Sequence, residues 1–158
     1  MATGYSFVSH WLLEAPIDAV WGAIYEAEKW PRWWKYVRNV SLLQPGDGNG
    51  VGVVRRTTWT TALPYSFTFD TRSTRVERPR MLDLDAFGDL EGTGHWELAT
   101  HGDLTEVRYD WNVRTNKPWM NDLAPLLRPA FAWNHDVIMT RGGRDLARYL
   151  GVRLVCSS

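Results

Sequence analysis

Two stretches near the C-terminal end, LTEVRYDWNVRT (104–115) and PAFAWNHDVIMTRGGRDLARYL (129–150), decide the fold. In the first, Val107, Tyr109, Trp111 and Val113 alternate with Arg108, Asp110, Asn112 and Arg114. A period of two is that of a strand with one apolar face and one wet face. In the second stretch the period changes. Phe131, His135, Ile138, Gly142, Leu146 and Tyr149 recur at i, i+4, i+7, i+11, i+15 and i+18, the stripe of an amphipathic helix. A one-sided sheet followed by a long striped helix predicts that the helix covers the sheet.

Upstream, the period of two continues back to residue 38. It marks strands over about 37–44, 51–60, 64–77, 80–88 and 92–100, separated by turn-rich segments at 45–52, 62–64, 78–79, 88–94 and 101–103. Connections this short imply an antiparallel meander, because a parallel crossover needs about a dozen residues. Tyr65, Phe67 and Phe69 share one face, and Leu82, Leu84 and Ala86 oppose Asp83 and Asp85. Nearer the N-terminus, YSFVSHWLLE (5–14) alternates with Tyr5, Phe7, Trp11 and Leu13 on one side. Pro16 then opens a helix, Asp18 complements its positive end, and Pro31 stops it. The segment WPRWWKYV (30–37) makes a second short turn or helix. The expectation is an α+β domain over 1–158, with about seven strands and a frayed tail at 151–158.

Composition narrows the function. The chain carries 10 Trp, 6 Tyr and 5 Phe, a surplus of rings that either fills an oversized core or lines a cavity. Lys plus Arg equals Asp plus Glu at 18 each, so the basic excess of a nucleic-acid binder is missing and no such partner is expected. Cys156 is the single cysteine, which rules out an internal disulfide and a thiolate metal site. The run from 11 to 25 is broken by Glu14, Pro16 and Asp18 and lacks a basic segment before it, so no secretory signal is read. No stretch approaches the roughly 18 apolar residues of a membrane span. A cytoplasmic protein without membrane insertion is the expectation; the residues set no oligomeric state.

The order strand, two helices, six-strand meander and closing helix resembles the START-like (SRPBCC, helix-grip) superfamily. The segments WLLEAPIDAVW (11–21), EKWPRWW (28–34), GDLEGTG (88–94) with HW (95–96), VRYDWNV (107–113) and PLLRPAFAWNHDVIM (125–139) resemble its polyketide cyclase/dehydrase-like branch. The resemblance implies a curved antiparallel sheet wrapped around the last helix and a hydrophobic cavity between them. It implies a lipid, a polyketide or another ring-bearing ligand, cyclised or aromatised by some members and only bound or carried by many.

Candidate residues follow from the faces. His135 lies on the buried stripe, either as a group that donates to a ligand or shuttles a proton, or as a core histidine satisfied by its neighbours. Asn134 beside it reads as a structural hydrogen-bond former or a ligand contact. Of the consecutive Arg55 and Arg56, alternation with Val53, Thr57 and Trp59 turns Arg55 inward. It is there either to clamp an anionic oxygen or to snorkel at the cavity mouth. Trp34, Trp59, Phe67, Phe69, Trp96, Tyr109 and Trp111, with Leu84, Phe131 and Met139, complete the expected lining, suited to a flat or polycyclic ligand. The glycines at 46, 48, 50 and 52 precede a strand rather than a helix, so the dinucleotide-loop context is missing and no cofactor is expected. His10, His95 and His101 have no ligand spacing, and no metal site is expected.

Three function classes result. A carrier or sensor of a hydrophobic small molecule needs only the pocket. A cyclase/aromatase or dehydratase needs His135 at an enolisable carbon, with Arg55 or Tyr109 stabilising the enolate. A protein-interaction module would use an open groove. The carrier leads, because no second acid or base is fixed by spacing.

Overall fold

In the computed structural model, which describes residues 4–158, strand β1 (Gly4–Leu13) is followed by α1 (Ile17–Tyr25) and a 3-10 helix (Ala27–Arg32). The meander comes next: β2 (Val37–Pro45), β3 (Val53–Thr60), β4 (Ser66–Glu77), β5 (Met81–Gly88), β6 (Leu90–His101) and β7 (Leu104–Thr115). A short helix α2 (Pro118–Asp122), the long α3 (Ala124–Leu150) and β8 (Leu154–Ser157) complete the chain. Residues 1–3 of the expected 1–158 domain lie outside the described residues. The strands form one antiparallel sheet in the order β2-β3-β4-β5-β6-β7-β1-β8, curved around α3. β1 closes the meander by pairing with β7 along its whole length, from Gly4 opposite Arg114 to Leu13 opposite Thr105.

Two expectations need correction. The sheet has eight strands, not seven, because the tail expected to fray pairs with β1, setting Leu12 opposite Cys156. Without it β1 would present a row of unpaired amides and carbonyls. Gly151 makes the reversal possible: at φ 68° it adopts the left-handed conformation that ends α3 and sends the chain back to the sheet. Next, α3 begins at Ala124 rather than near 129. Pro125 occupies the first turn, where a missing N–H costs nothing, and Pro129 forfeits only one intrahelical bond.

The helix is held against the sheet by two tryptophans. Trp11 on β1 donates its indole N–H to the Met139 carbonyl at 2.9 Å, and Trp34 donates to the Ile138 carbonyl at 3.1 Å. Both rings are almost fully buried and rest against Gly142 and Gly143. A Cβ at Gly142 would sit 2.5 Å from the Trp34 ring, and one at Gly143 would sit 2.9 Å from Trp11. The adjacent glycines, unfavourable in a helix interior, are therefore explained by close approach of the α3 backbone to these rings. Asp145 adds a polar clamp, accepting from the Lys35 backbone N–H and from the Arg141 guanidinium, each at 2.9 Å. It fixes the Trp33–Trp34 corner to α3.

Candidate ligand-binding site

The space that α3 does not fill is a cavity of about 120 Å³ between the helix and the sheet. The sheet supplies Phe7 from β1, Trp59 from β3, Phe67 and Phe69 from β4, Trp96 from β6, and Tyr109 and Trp111 from β7. Phe131, Asn134, His135 and Met139 face them from α3, and Trp30 and Trp34 close the inner end. The strand residues are inward because each belongs to the apolar half of its strand's alternation. The helix residues come from the stripe.

The rings are locked against one another. Trp96 stacks on Tyr109 with centroids 4.0 Å apart, Tyr109 on Trp111 at 5.7 Å, and Trp34 meets Trp59 edge-on at 4.9 Å. Such offset and edge contacts hold the walls in place without polar groups.

Of the expected lining, only Leu84 lies elsewhere. It faces the covered side of β5 but packs into the tryptophan-rich core beside the cavity. Alternation selects a face and says nothing about position along it. Arg55 is misplaced for the same reason. It is turned inward and buried, but its Nε donates to Glu28 Oε1 at 2.7 Å and its guanidinium lies 5.4 Å from the Tyr25 ring. It stands four residues, about 14 Å, along β3 from Trp59, so it serves the α1 end and not the cavity. Arg56 points to solvent and pairs with Asp70 at 2.8 Å. The cavity therefore has no arginine clamp.

Several lining residues were not singled out in the sequence. Tyr5, Phe7, Tyr65 and Val113 already fell on inward faces and needed only the position of the cavity to be named. Met120 and Thr115 line it because α2 folds back over the end of β7, which no local pattern signals.

No Asp, Glu, Lys or Arg side chain is among the lining residues. The polar atoms are few. Both ring nitrogens of His135 are buried without a hydrogen-bond partner, as are the Tyr5 hydroxyl and the Trp96 indole N–H. The His135 imidazole stacks on Phe7, with centroids 4.1 Å apart and planes 13° apart. Burial pushes its pKa down to about 4, so the ring is neutral at pH 7. Burial also raises the phenols. Tyr65 is pushed up to about 12, chiefly by burial with a contribution from Tyr5, and Tyr109 is raised by burial alone. For Tyr5, burial outweighs the opposing charge of Arg128. All three stay protonated at neutral pH.

Asn134 is tied into the fold: its Oδ1 accepts the Ala62 backbone N–H at 2.9 Å. That bond anchors the 61–65 turn, which carries Tyr65 to the cavity rim, onto α3. Asn134→Leu is expected to cost about 1 kcal/mol of stability and to speed ligand exchange several-fold. Stopped-flow fluorescence would check the rate; unchanged exchange would show that the turn does not control access.

Among the described residues, no group of three or more His, Cys, Asp or Glu side chains is placed to hold a metal ion. His95 bonds to Asp83 on the outer face of the sheet, and His101 to Glu106. No described helix is long and apolar enough to cross a membrane.

A curved sheet gripping a long helix around a ring-walled cavity defines a START-like, hydrophobic-ligand-binding fold. The chain belongs to the polyketide cyclase/dehydrase and lipid transport family, whose model matches residues 13–134. No curated protein matches the sequence. Among solved structures, the Zhui aromatase/cyclase from Streptomyces sp. R1128 aligns with a TM-score of 0.73 at 13% identity, over 91% of this chain and 92% of that one. TTHA0849 from Thermus thermophilus aligns at 0.72 and 13% identity, over 92% and 99%. StfQ, a di-domain aromatase/cyclase of the steffimycin pathway, aligns at 0.66 and 17% identity. This chain is 94% covered in that alignment and spans about half of StfQ, 52%. At these identities the likeness establishes the fold and not the chemistry.

Proposed function

We propose that this protein is a cytoplasmic carrier or sensor of a hydrophobic, aromatic or lipid-like small molecule held between the sheet and α3. The observation that carries the reading is a cavity walled by aromatic rings, with no charged side chain. Preformed apolar pockets with a few unpaired polar atoms favour binding and orientation over bond making. Native mass spectrometry of freshly purified protein, followed by solvent extraction, tests it. A stoichiometric organic adduct, or saturable quenching of tryptophan fluorescence by added ring compounds, is expected. A clean mass together with no quenching by any such compound overturns the reading.

His135 supports a second reading, a cyclase/aromatase or dehydratase acting in the same cavity, in keeping with the family and with the activities named for Zhui and StfQ. An uncharged imidazole with free nitrogens would take a proton from an enolisable carbon while a neutral phenol such as Tyr109 donates to the enolate oxygen. A base whose conjugate acid has a pKa of about 4 drives that transfer weakly, which favours the carrier. Loss of turnover in His135→Ala with the fold intact would reverse this order.

A further inference from the structure

We infer that Tyr109 sets the specificity of the cavity, its hydroxyl donating to an uncharged acceptor oxygen, such as that of a ketone, on a small apolar ligand. The inference rests on the binding reading above and adds to it the polar group that the ligand carries.

The pairing of the polar side-chain atoms in the lining leads to it. Trp30, Trp34 and Trp59 donate their indole N–H groups to the Ala23 carbonyl, the Ile138 carbonyl and Thr57 Oγ1. Asn134 is held by the Ala62 N–H and by Tyr65, and the Thr115 hydroxyl donates to Met120 Sδ. The Tyr5 hydroxyl, the Trp96 indole N–H and both His135 nitrogens are unpaired but closed off by the atoms packed around them, so they face no open space. The Tyr109 hydroxyl and the Trp111 indole N–H belong to neither group.

Tyr109 is placed to be reached. Strand β7 lies between β6 and β1, and Tyr109 is on its inward face, so the surface that this partly buried residue keeps opens into the cavity. Its ring is fixed by stacking on Trp96 at 4.0 Å and on Trp111 at 5.7 Å. The hydroxyl lies over buried Gly94, where a Cβ would come within 3.2 Å of the phenol oxygen and 3.1 Å of the Trp111 ring. Glycine at 94 leaves that place on the inner surface of β6 to the hydroxyl.

The chemistry of the two groups defines what they bind. No neighbouring charge or side-chain hydrogen bond shifts the phenol, and burial alone keeps it protonated, so it has a proton to share. An indole N–H can only donate. Two neighbouring donors suit an acceptor. That acceptor is uncharged, because the lining holds no ionic side chain to balance a carboxylate, and a buried unpaired charge is costly. Volume limits the probe. A cavity of about 120 Å³ is slightly smaller than the engineered apolar cavity of about 150 Å³ that admits benzene, so a one-ring ketone is the fitting size.

Ethylbenzene, acetophenone and benzoate share a ring and nearly a shape, and titration of each at pH 7 by calorimetry and tryptophan fluorescence tests the inference. Acetophenone is expected to bind roughly five- to tenfold tighter than ethylbenzene, and benzoate at least about a hundredfold more weakly than acetophenone. Tyr109→Phe keeps the ring stack and should retain ethylbenzene, while its preference for the ketone falls at least about threefold. A purely structural role would weaken both neutral ligands alike. The carbonyl stretch of bound acetophenone, read by isotope-edited infrared spectroscopy, should lie lower in wild type than in Tyr109→Phe. If that variant does not fold, the wild-type stretch is compared with acetophenone in an alkane, and an unshifted band overturns the inference. Equal affinities for acetophenone and ethylbenzene, a preference for benzoate, or a ketone preference unchanged in Tyr109→Phe overturn it and leave the carrier intact. So does failure of all three compounds to bind while native mass spectrometry shows an adduct without such an oxygen. Failure of all three, with no adduct and no quenching by any added ring compound, removes both.

Discussion

Gly142→Ala is expected to lower the thermal midpoint by roughly 2–12 °C, against the usual sign of a glycine-to-alanine change in a helix. Such a change ordinarily stabilises by about 0.5–1 kcal/mol, because glycine loses more backbone freedom on folding. Here the new Cβ would sit 2.5 Å from Cε2 and Cζ2 of Trp34. The ring cannot withdraw. It stacks on Trp33, meets Trp59 edge-on, and is anchored by its bond to the Ile138 carbonyl. Overpacking of this kind costs roughly 1–3 kcal/mol beyond the helix-propensity gain, and each kcal/mol moves the midpoint of a chain this size by about 2–4 °C. Gly22 in α1 is the internal control. A Cβ there meets nothing within 4 Å, so Gly22→Ala is expected to raise the midpoint slightly. Melting curves of the two variants should move in opposite directions. A stabilised Gly142→Ala protein would mean that the Trp34 ring and the helix are not in contact.

The second large effect is in acid. The folded-state pKa of His135 is pushed down to about 4 from its ordinary value near 6.5. Between those values the unfolded chain binds a proton that the folded chain refuses. Stability from this residue is therefore complete above pH 6.5 and is lost progressively as the pH falls toward 4. The loss amounts to at most roughly 3 kcal/mol, at 1.36 kcal/mol per pKa unit. His95 works in the opposite direction. Burial lowers its pKa, but Asp83 and Glu97 together raise it further, so its contribution is present at low pH and fades as pH rises past its folded value. The difference between wild type and His135→Phe isolates the effect. That variant keeps a flat ring against Phe7 and eliminates two unpaired nitrogens, so it should match or exceed wild type in denaturant at pH 7. At pH 4.5 it should be clearly the more stable of the two. Parallel pH profiles for both proteins would show that His135 does not titrate in the cavity, and would weaken its role at the ligand.

Both predictions depend on how far each feature could be read locally. The alternation of Val107, Tyr109, Trp111 and Val113 and the stripe from Phe131 to Tyr149 specify the sheet face and the helix face, and hence the α+β order and the side on which a cavity lies. Those signals are periodic and local, so each element carries its own evidence. Arg55 shows where that evidence ends. Its inward face was legible, yet the carboxylate it meets belongs to Glu28, 27 residues away in the chain. Leu84 and β8 are similar cases: the one depends on which stretch of β5 runs beside the cavity, the other on an exposed edge of β1. The paired glycines at 142 and 143 were visible as an anomaly, and only the packed structure supplied Trp34 and Trp11 as its cause.

Local periodicity alone specifies the elements from β1 to β7 and the long closing helix, their inward faces and the aromatic character of the site. Tertiary structure alone decided the size of the cavity, the absence of charge from its walls, and the isolation of His135 and Trp96 from any partner. The reason is physical. Periodicity is imposed by the backbone repeat within one element, whereas volume, hydrogen-bond pairing and charge balance are set where elements distant in the chain meet.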